Sequence, residues 1–145
     1  MDHHWRNLGF GELTTTQLYA IVALRERVFV VEQACAYQDA DGYDLASRHL
    51  WVEREPGGIL AYLRIVPAGA KFDEVSLGRI IVAPEARGTG LGHELVRRGL
   101  AAVGPVPVRI GAQAHLEKFY GEHGFGRASE TYLEDGIPHI DMVRP

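Results

Sequence analysis

The chain has 145 residues, 46% of them hydrophobic and 23% charged, with a formal net charge of −4. That length suits one domain with a core of its own, taken as residues 1–145. The lack of a basic run argues against a nucleic-acid partner, and the lack of an apolar run near 18 residues argues against a membrane span. Met1 to Phe10 is polar and aromatic, unlike a signal peptide. Cys35 is the only cysteine, which excludes an internal disulfide and makes a reducing cytoplasm the expected compartment.

Thr14-x-x-Gln17 fits a capping box, with Leu13 and Leu18 placed as a hydrophobic staple. Leu18, Ile21, Val22, Arg25, Val28 and Phe29 recur at helical spacing, predicting a helix from about Thr15 to Gln33. Ala34 to Arg48 is polar and reads as a loop or short helix. His49 to Arg54, Ile59 to Val66 and Val75 to Val82 read as strands, the first two joined by a turn at Pro56-Gly57-Gly58. A second helix, Leu91 to Val103, presents Leu91, Leu95, Val96 and Leu100 on one face. Val106 to Ala112 is a strand, and Ala114 to His123 a helix stopped at Gly124. Ser129 to Leu133 and Ile137 to Val143 form a hairpin across Asp135-Gly136. The order β-α-(α)-β-β-β-α-β-α-β-β implies an α/β domain with a mixed sheet.

Between the third of those strands and the second helix lies Arg87-Gly88-Thr89-Gly90-Leu91-Gly92. Glycines let the backbone approach a ligand, and the N–H groups and dipole at a helix start favour an anion. The loop therefore reads as a phosphate cradle. It is not a P-loop, because no Gly-Lys-Ser/Thr follows. It is not a dinucleotide fingerprint, because the spacing is G-x-G-x-G and the segment near Val108 to Gly111 carries no acid. The other motifs of a kinase are missing, as are a G-x-S-x-G elbow and the second histidine that His93-Glu94 would need for a zinc-protease helix.

The loop resembles the R-G-x-G-x-G loop of the GCN5-related N-acetyltransferases (GNAT). Phe119-Tyr120-x-x-x-Gly124-Phe125 resembles a second segment of that superfamily, in the right order downstream. Within it, Arg27 to Gln33, Asp41-Gly42, Gln113-Ala-His115 and Glu134 to His139 resemble the ElaA-like proteins. The resemblance implies a single-domain acyl-CoA N-acyltransferase fold, a mixed, mostly antiparallel sheet flanked by helices. It also implies acetyl-CoA as co-substrate, no metal, and a direct transfer to an amine in a ternary complex. In that fold the strands before the loop and after its helix, here Val75 to Val82 and Val106 to Ala112, start side by side and splay to admit the pantetheine arm. Gly88, Thr89, Gly90, Leu91 and Gly92 shape the pyrophosphate loop, Gly90 and Gly92 being the two expected to need missing side chains, and Arg87 adds charge. Backbone N–H groups at Ile81 and Val82 are the expected oxyanion donors, and Tyr120 the expected general acid at the coenzyme sulfur. The family commonly forms dimers, though no residue here specifies one.

The general base stays open between Glu32, His139 and a water relay. Glu32 falls on the Val28–Phe29 stripe, where burial raises a carboxyl pKa toward a useful value. Gln33, Asp41, His49 and Gln113 are candidates for the acceptor pocket. Asp39, Asp41 and Asp44 on a net acidic chain suit a cationic amine, whether a small molecule or a protein amine. Two alternatives stand beside this reading. Leu24 to Phe29 and Asp41 to Asp44 also resemble acyl-homoserine-lactone synthases, which lack the glycine loop. A non-catalytic acetyl-CoA sensor or interaction protein is the other.

Overall fold

The structure, a computed structural model, describes residues 3–55 and 57–145. Strand β1 (His4–Gly9) leads through a 3₁₀ turn into α1 (Thr15–Arg25). Thr14 Oγ1 accepts from Gln17 N–H and Gln17 Oε1 from Thr14 N–H, so the capping box closes the helix start. The helical segment continues to Glu32, but from Glu26 it widens to π geometry. Gln33 N–H reaches Val28 O and Cys35 N–H reaches Val30 O, five residues back in each case. Such widening marks functional segments more often than chance, and here it borders the site described below.

A 3₁₀ turn at Tyr43–Ala46 leads into β2 (Arg48–Glu53), β3 (Ile59–Val66) and β4 (Val75–Val82). Arg54 N–H donates to Gly58 O across the β2–β3 turn, of which Pro56 lies outside the described residues, as do Met1 and Asp2 at the start of the chain. Helix α2 (Leu91–Val103), β5 (Val108–Gln113), α3 (Glu117–Gly121), β6 (Gly126–Arg127), β7 (Tyr132–Glu134) and β8 (Ile137–Arg144) complete the chain. The helix expected from Ala114 splits into a 3₁₀ turn (Ala114–Leu116) and α3. Asp135 (φ 52°) and Gly136 (φ 77°) both adopt positive φ, the geometry that lets a two-residue turn follow the twist of its strands.

All strands share one sheet in the order β1-β2-β3-β4-β5-β8-β6, with β7 also on β8. Every pairing is antiparallel except β4 with β5. Central strand β3 is buried throughout and alternates between two cores. Tyr62, with Trp51 of β2, faces Ile21, Leu24 and Val28 of the first helical segment. Leu63 faces Leu95 and Val96 of α2. Gly99 of α2 brings that helix so close that an added Cβ would sit 3.0 Å from Leu63 Cδ2 and 3.2 Å from Leu77 Cδ1. Among the described residues no helix is long and apolar enough to cross a membrane.

Two irregularities in β4 prepare a site. It pairs with β5 only at Val75↔Val108 and Ser76↔Arg109. Past that point β5 stays with β8 as far as Gln113↔His139, while β4 stays with β3, so the parallel strands part. Opposite β3, the register steps from Arg64↔Gly78 to Tyr62↔Ile81. Arg79 and Ile80 thus face the single residue Leu63, a β-bulge, and Arg79 sits at φ +50°.

Candidate active site

The parting of β4 and β5 opens a cleft of about 450 Å³. At one end lies the glycine loop. Gly88 (φ +79°) and Gly90 (φ +84°) occupy the left-handed region, which glycine alone enters without strain. Gly90 caps α2, Glu94 N–H donates to its carbonyl, and Thr89 Oγ1 donates to Ala86 O. Gly92 differs from the expectation. It needs no positive φ, and a Cβ there would meet Phe119 and Val82 at an ordinary 3.5 Å. The glycines imposed by backbone conformation are therefore Gly88 and Gly90. Leu91 and Gly92 form the first turn of α2, whose N–H groups have no partner within the helix.

Ile81 and Val82 both line the cleft, on the strand just past the bulge. Ala83 N–H donates to Leu60 O on β3. Strand alternation then turns the Ile81 N–H toward β3 as well, and the Val82 N–H toward the gap. Tyr120 lines the same cleft, buried and held edge-on between Phe119 and Phe125. Burial pushes its phenol pKa up, with no neighbouring charge to counter it. The phenol is thus kept fully protonated at neutral pH.

Glu32 is not buried, and its pKa is moved opposite to the sequence expectation. Both its oxygens accept from Arg87, at 2.7 and 2.8 Å, and that guanidinium holds the carboxyl below its ordinary value. Glu32 lines the rim of the cleft beside the glycine loop, where Arg87 also donates to Val82 O. Arg27 grips Glu85 similarly, so two ion pairs tie the first helical segment to the loop.

On the far side Gln113 Nε2 donates to Gln33 Oε1 at 3.3 Å, spanning the cleft. His139 is buried beside them, stacked on Tyr132. Its Nδ1 lies 2.7 Å from Ile137 O, an acceptor only, so Nδ1 carries a proton. In the neutral ring Nε2 then carries the free lone pair, 3.5 Å from Glu134 Oε2.

Asp41 and His49 stand outside the cleft lining. His49 is fully buried, Nε2 on Asp44 O at 3.0 Å and Nδ1 on Tyr62 Oη at 2.6 Å, and desolvation lowers its pKa. Both nitrogens are spent on the protein, so it is a structural histidine. Asp41 belongs to an ionic cluster that sequence reasoning missed. Arg25 binds Asp39 and Asp44, Arg64 binds Asp41 and Asp44, and Arg79 binds Asp39. Burial opposes ionisation of Asp41, but Arg64 outweighs it and lowers the pKa from 3.8 to about 2. Three carboxylates thus answer three guanidiniums, and the acidic loop offers no surplus charge to a cationic amine. The clue was present in the sequence: Arg25 on a buried helix stripe and Arg64 and Arg79 inside strands demand acidic partners.

Among the described residues no cluster of His, Cys, Asp and Glu side chains is disposed to hold a metal. Residues 19–144 match the family model described as an acetyltransferase (GNAT) domain. Protein ElaA of Escherichia coli strain K12 is 44% identical over 148 residues, covering 97% of this chain and 95% of that protein. The crystal structure of an acyl-CoA N-acyltransferase from Pseudomonas aeruginosa superposes with a TM-score of 0.94 at 44% identity, covering 99% of this chain and all of that one. The crystal structure of E. coli ElaA superposes with a TM-score of 0.91 at 41% identity, again covering 99% of this chain and all of the other.

Proposed function

The chain belongs to the GNAT acetyltransferase family and has its single-domain acyl-CoA N-acyltransferase fold, and we propose that it moves an acetyl group from acetyl-CoA to a primary amine in a ternary complex. The observation that carries this reading is that β4 and β5 part beside the start of α2, in a cleft that Val82, Tyr120 and His139 share. The pyrophosphate would lie on the N–H groups opening α2, with the pantetheine arm in the gap. The thioester carbonyl would then meet the N–H of Val82, which becomes more valuable as negative charge develops.

The amine attacks the carbonyl carbon, the carbon–sulfur bond breaks, and the thiolate takes the Tyr120 proton. His139 Nε2, directly or through one water, removes the proton from the amine, and that proton is finally returned to the tyrosinate. An ordinary phenol lies about 1.5 pKa units above a thiol, an uphill transfer of about 2 kcal/mol. Burial raises Tyr120, but a thiolate leaving into the same apolar pocket is raised too, so the gap stays small. Glu32 serves as the partner of Arg87 rather than as the base.

Release of free coenzyme A thiol with a panel of amines tests the reaction. Binding of acetyl-CoA without thiol release for any amine overturns it. His139→Gln is expected to lower kcat about 10²-fold with little change in acetyl-CoA affinity, a water relay keeping the remainder. Glu32→Gln should change kcat less than about threefold, and a larger loss returns Glu32 to the base role. Gly90→Ala is expected to cost about 1–2 kcal/mol of stability, read by denaturant unfolding, because alanine is strained at φ +84°.

A further inference from the structure

The chain has only two lysines, Lys71 and Lys118, and Lys71 lines the cleft on the side away from the glycine loop. It stands on the β3–β4 connection, a tight loop closed by Gly69 N–H to Phe72 O at 2.7 Å and Ala70 N–H to Pro67 O at 3.2 Å. The residue is exposed at the mouth, yet its ammonium is crowded by aromatic faces, with Nζ 5.7 Å from the Tyr43 ring centre and 5.6 Å from that of Phe72. Among the described residues no carboxylate comes within 4.0 Å of it.

Its surroundings are short of free negative charge. Asp39, Asp41 and Asp44 are committed to Arg25, Arg64 and Arg79. Arg64 and Arg79 also line the cleft, and Arg64 Nε is buried without a hydrogen-bond partner. Desolvation lowers the Lys71 pKa, and Arg64 and Arg79 push it the same way against the pull of Glu134 and Asp41. An anionic ligand group beside Lys71 offsets this positive charge, whereas a further cation adds to it. On the β7–β8 hairpin, Glu134 and His139 supply the opposite character, a carboxylate and a basic nitrogen.

Resting on the acyltransferase reading, we propose that the acceptor is an amine that also bears a carboxylate, as an amino acid does, with Lys71 binding the carboxylate while the amine lies toward His139 and Glu134. Lys71 is a specificity-determining residue in this scheme, and takes no part in proton transfer.

The test uses the full chain with acetyl-CoA and free amino acids in matched pairs with their amides. Wild type is expected to favour the carboxylate member at least tenfold in kcat/KM. Lys71→Met should reduce that preference to within about twofold, chiefly through a rise in KM for the acid. Lys71→Arg should retain part of it. A second arm needs no turnover: N-acetyl amino acids and their N-acetyl amides are titrated by calorimetry onto protein loaded with coenzyme A. The acid is expected to bind at least tenfold tighter, and Lys71→Met to abolish the difference. Equal binding of acid and amide by wild type, or a preference untouched in Lys71→Met, overturns the proposal. Thiol release without any carboxylate preference refutes the inference alone. Carboxylate binding without thiol release for any amine refutes the acyltransferase reading and leaves the anion site standing.

Discussion

Tyr120→Phe is expected to lower kcat for acetyl transfer about 10³-fold while acetyl-CoA affinity changes less than about threefold. The substitution removes one hydroxyl and keeps the ring that Phe119 and Phe125 pack edge-on. Because the packing survives, folding stability should change little. The hydroxyl acts only as the carbon–sulfur bond breaks, so its loss raises the barrier without weakening the ground-state complex. Stopped-flow thiol release measures kcat and calorimetry the affinity. Equal losses in both would show that Tyr120 shapes the cleft and is not the acid. The same comparison gives meaning to the burial of the phenol. A tyrosine held protonated by desolvation keeps its proton across the whole working pH range, so no alkaline limb below about pH 10 should trace to it.

What could be read from the chain divides by the range of the interactions involved. Local devices were legible: the capping box at Thr14 and Gln17, the Asp135-Gly136 turn, and the strand ends at Ile59, Val66, Val75 and Val82. Each depends on a few adjacent residues whose conformational preferences agree. The parting of β4 from β5 came only through family resemblance, since parallel pairing leaves no mark in either strand alone. The π turn was invisible because the apolar residues from Val28 to Val31 suit either winding. Glu32 is exposed at the rim of the cleft and held there by Arg87. The periodicity of 3.6 that places Glu32 on the Val28–Phe29 stripe does not hold through this π segment.

The β4 bulge shows the same limit more sharply. Nothing in Gly78-Arg79-Ile80 announces that Arg79 takes φ +50°, a conformation unfavourable for arginine. The surroundings impose it. Arg79 lies over Phe29 and Tyr37, with ring centres 5.2 and 5.4 Å away, and pairs with Asp39 at 2.9 Å. The ionic cluster therefore does more than neutralise buried arginines. It fixes the bulge, and the bulge sets which N–H groups of the following residues face the gap.

Asp44→Asn is accordingly expected to remove about 3–5 kcal/mol of stability. Asp44 Oδ1 accepts from Arg25 at 2.6 Å and from Arg64 at 2.9 Å, and both arginine side chains are almost fully buried. The amide keeps the shape but not the charge, leaving two buried guanidiniums with less than their full complement of carboxylate. For a domain of this size, each kcal/mol moves Tm by roughly 2–4 °C, so a fall of about 6–20 °C should appear in thermal unfolding. A shift within 2 °C would show that solvent compensates the two arginines and that their pairing with Asp44 adds little stability. The same groups set the acid limit of the wild-type fold. Asp41 and Asp44 ionise below the ordinary carboxylate value in the folded chain, Asp41 near pH 2. Their contribution is complete above about pH 4, the unfolded value, and is lost as pH falls toward 2. For Asp41 that difference amounts to about 2 kcal/mol, to be read as a declining denaturation midpoint between pH 5 and pH 2. In Asp44→Asn the decline should be shallower, because one of the depressed carboxylates is gone.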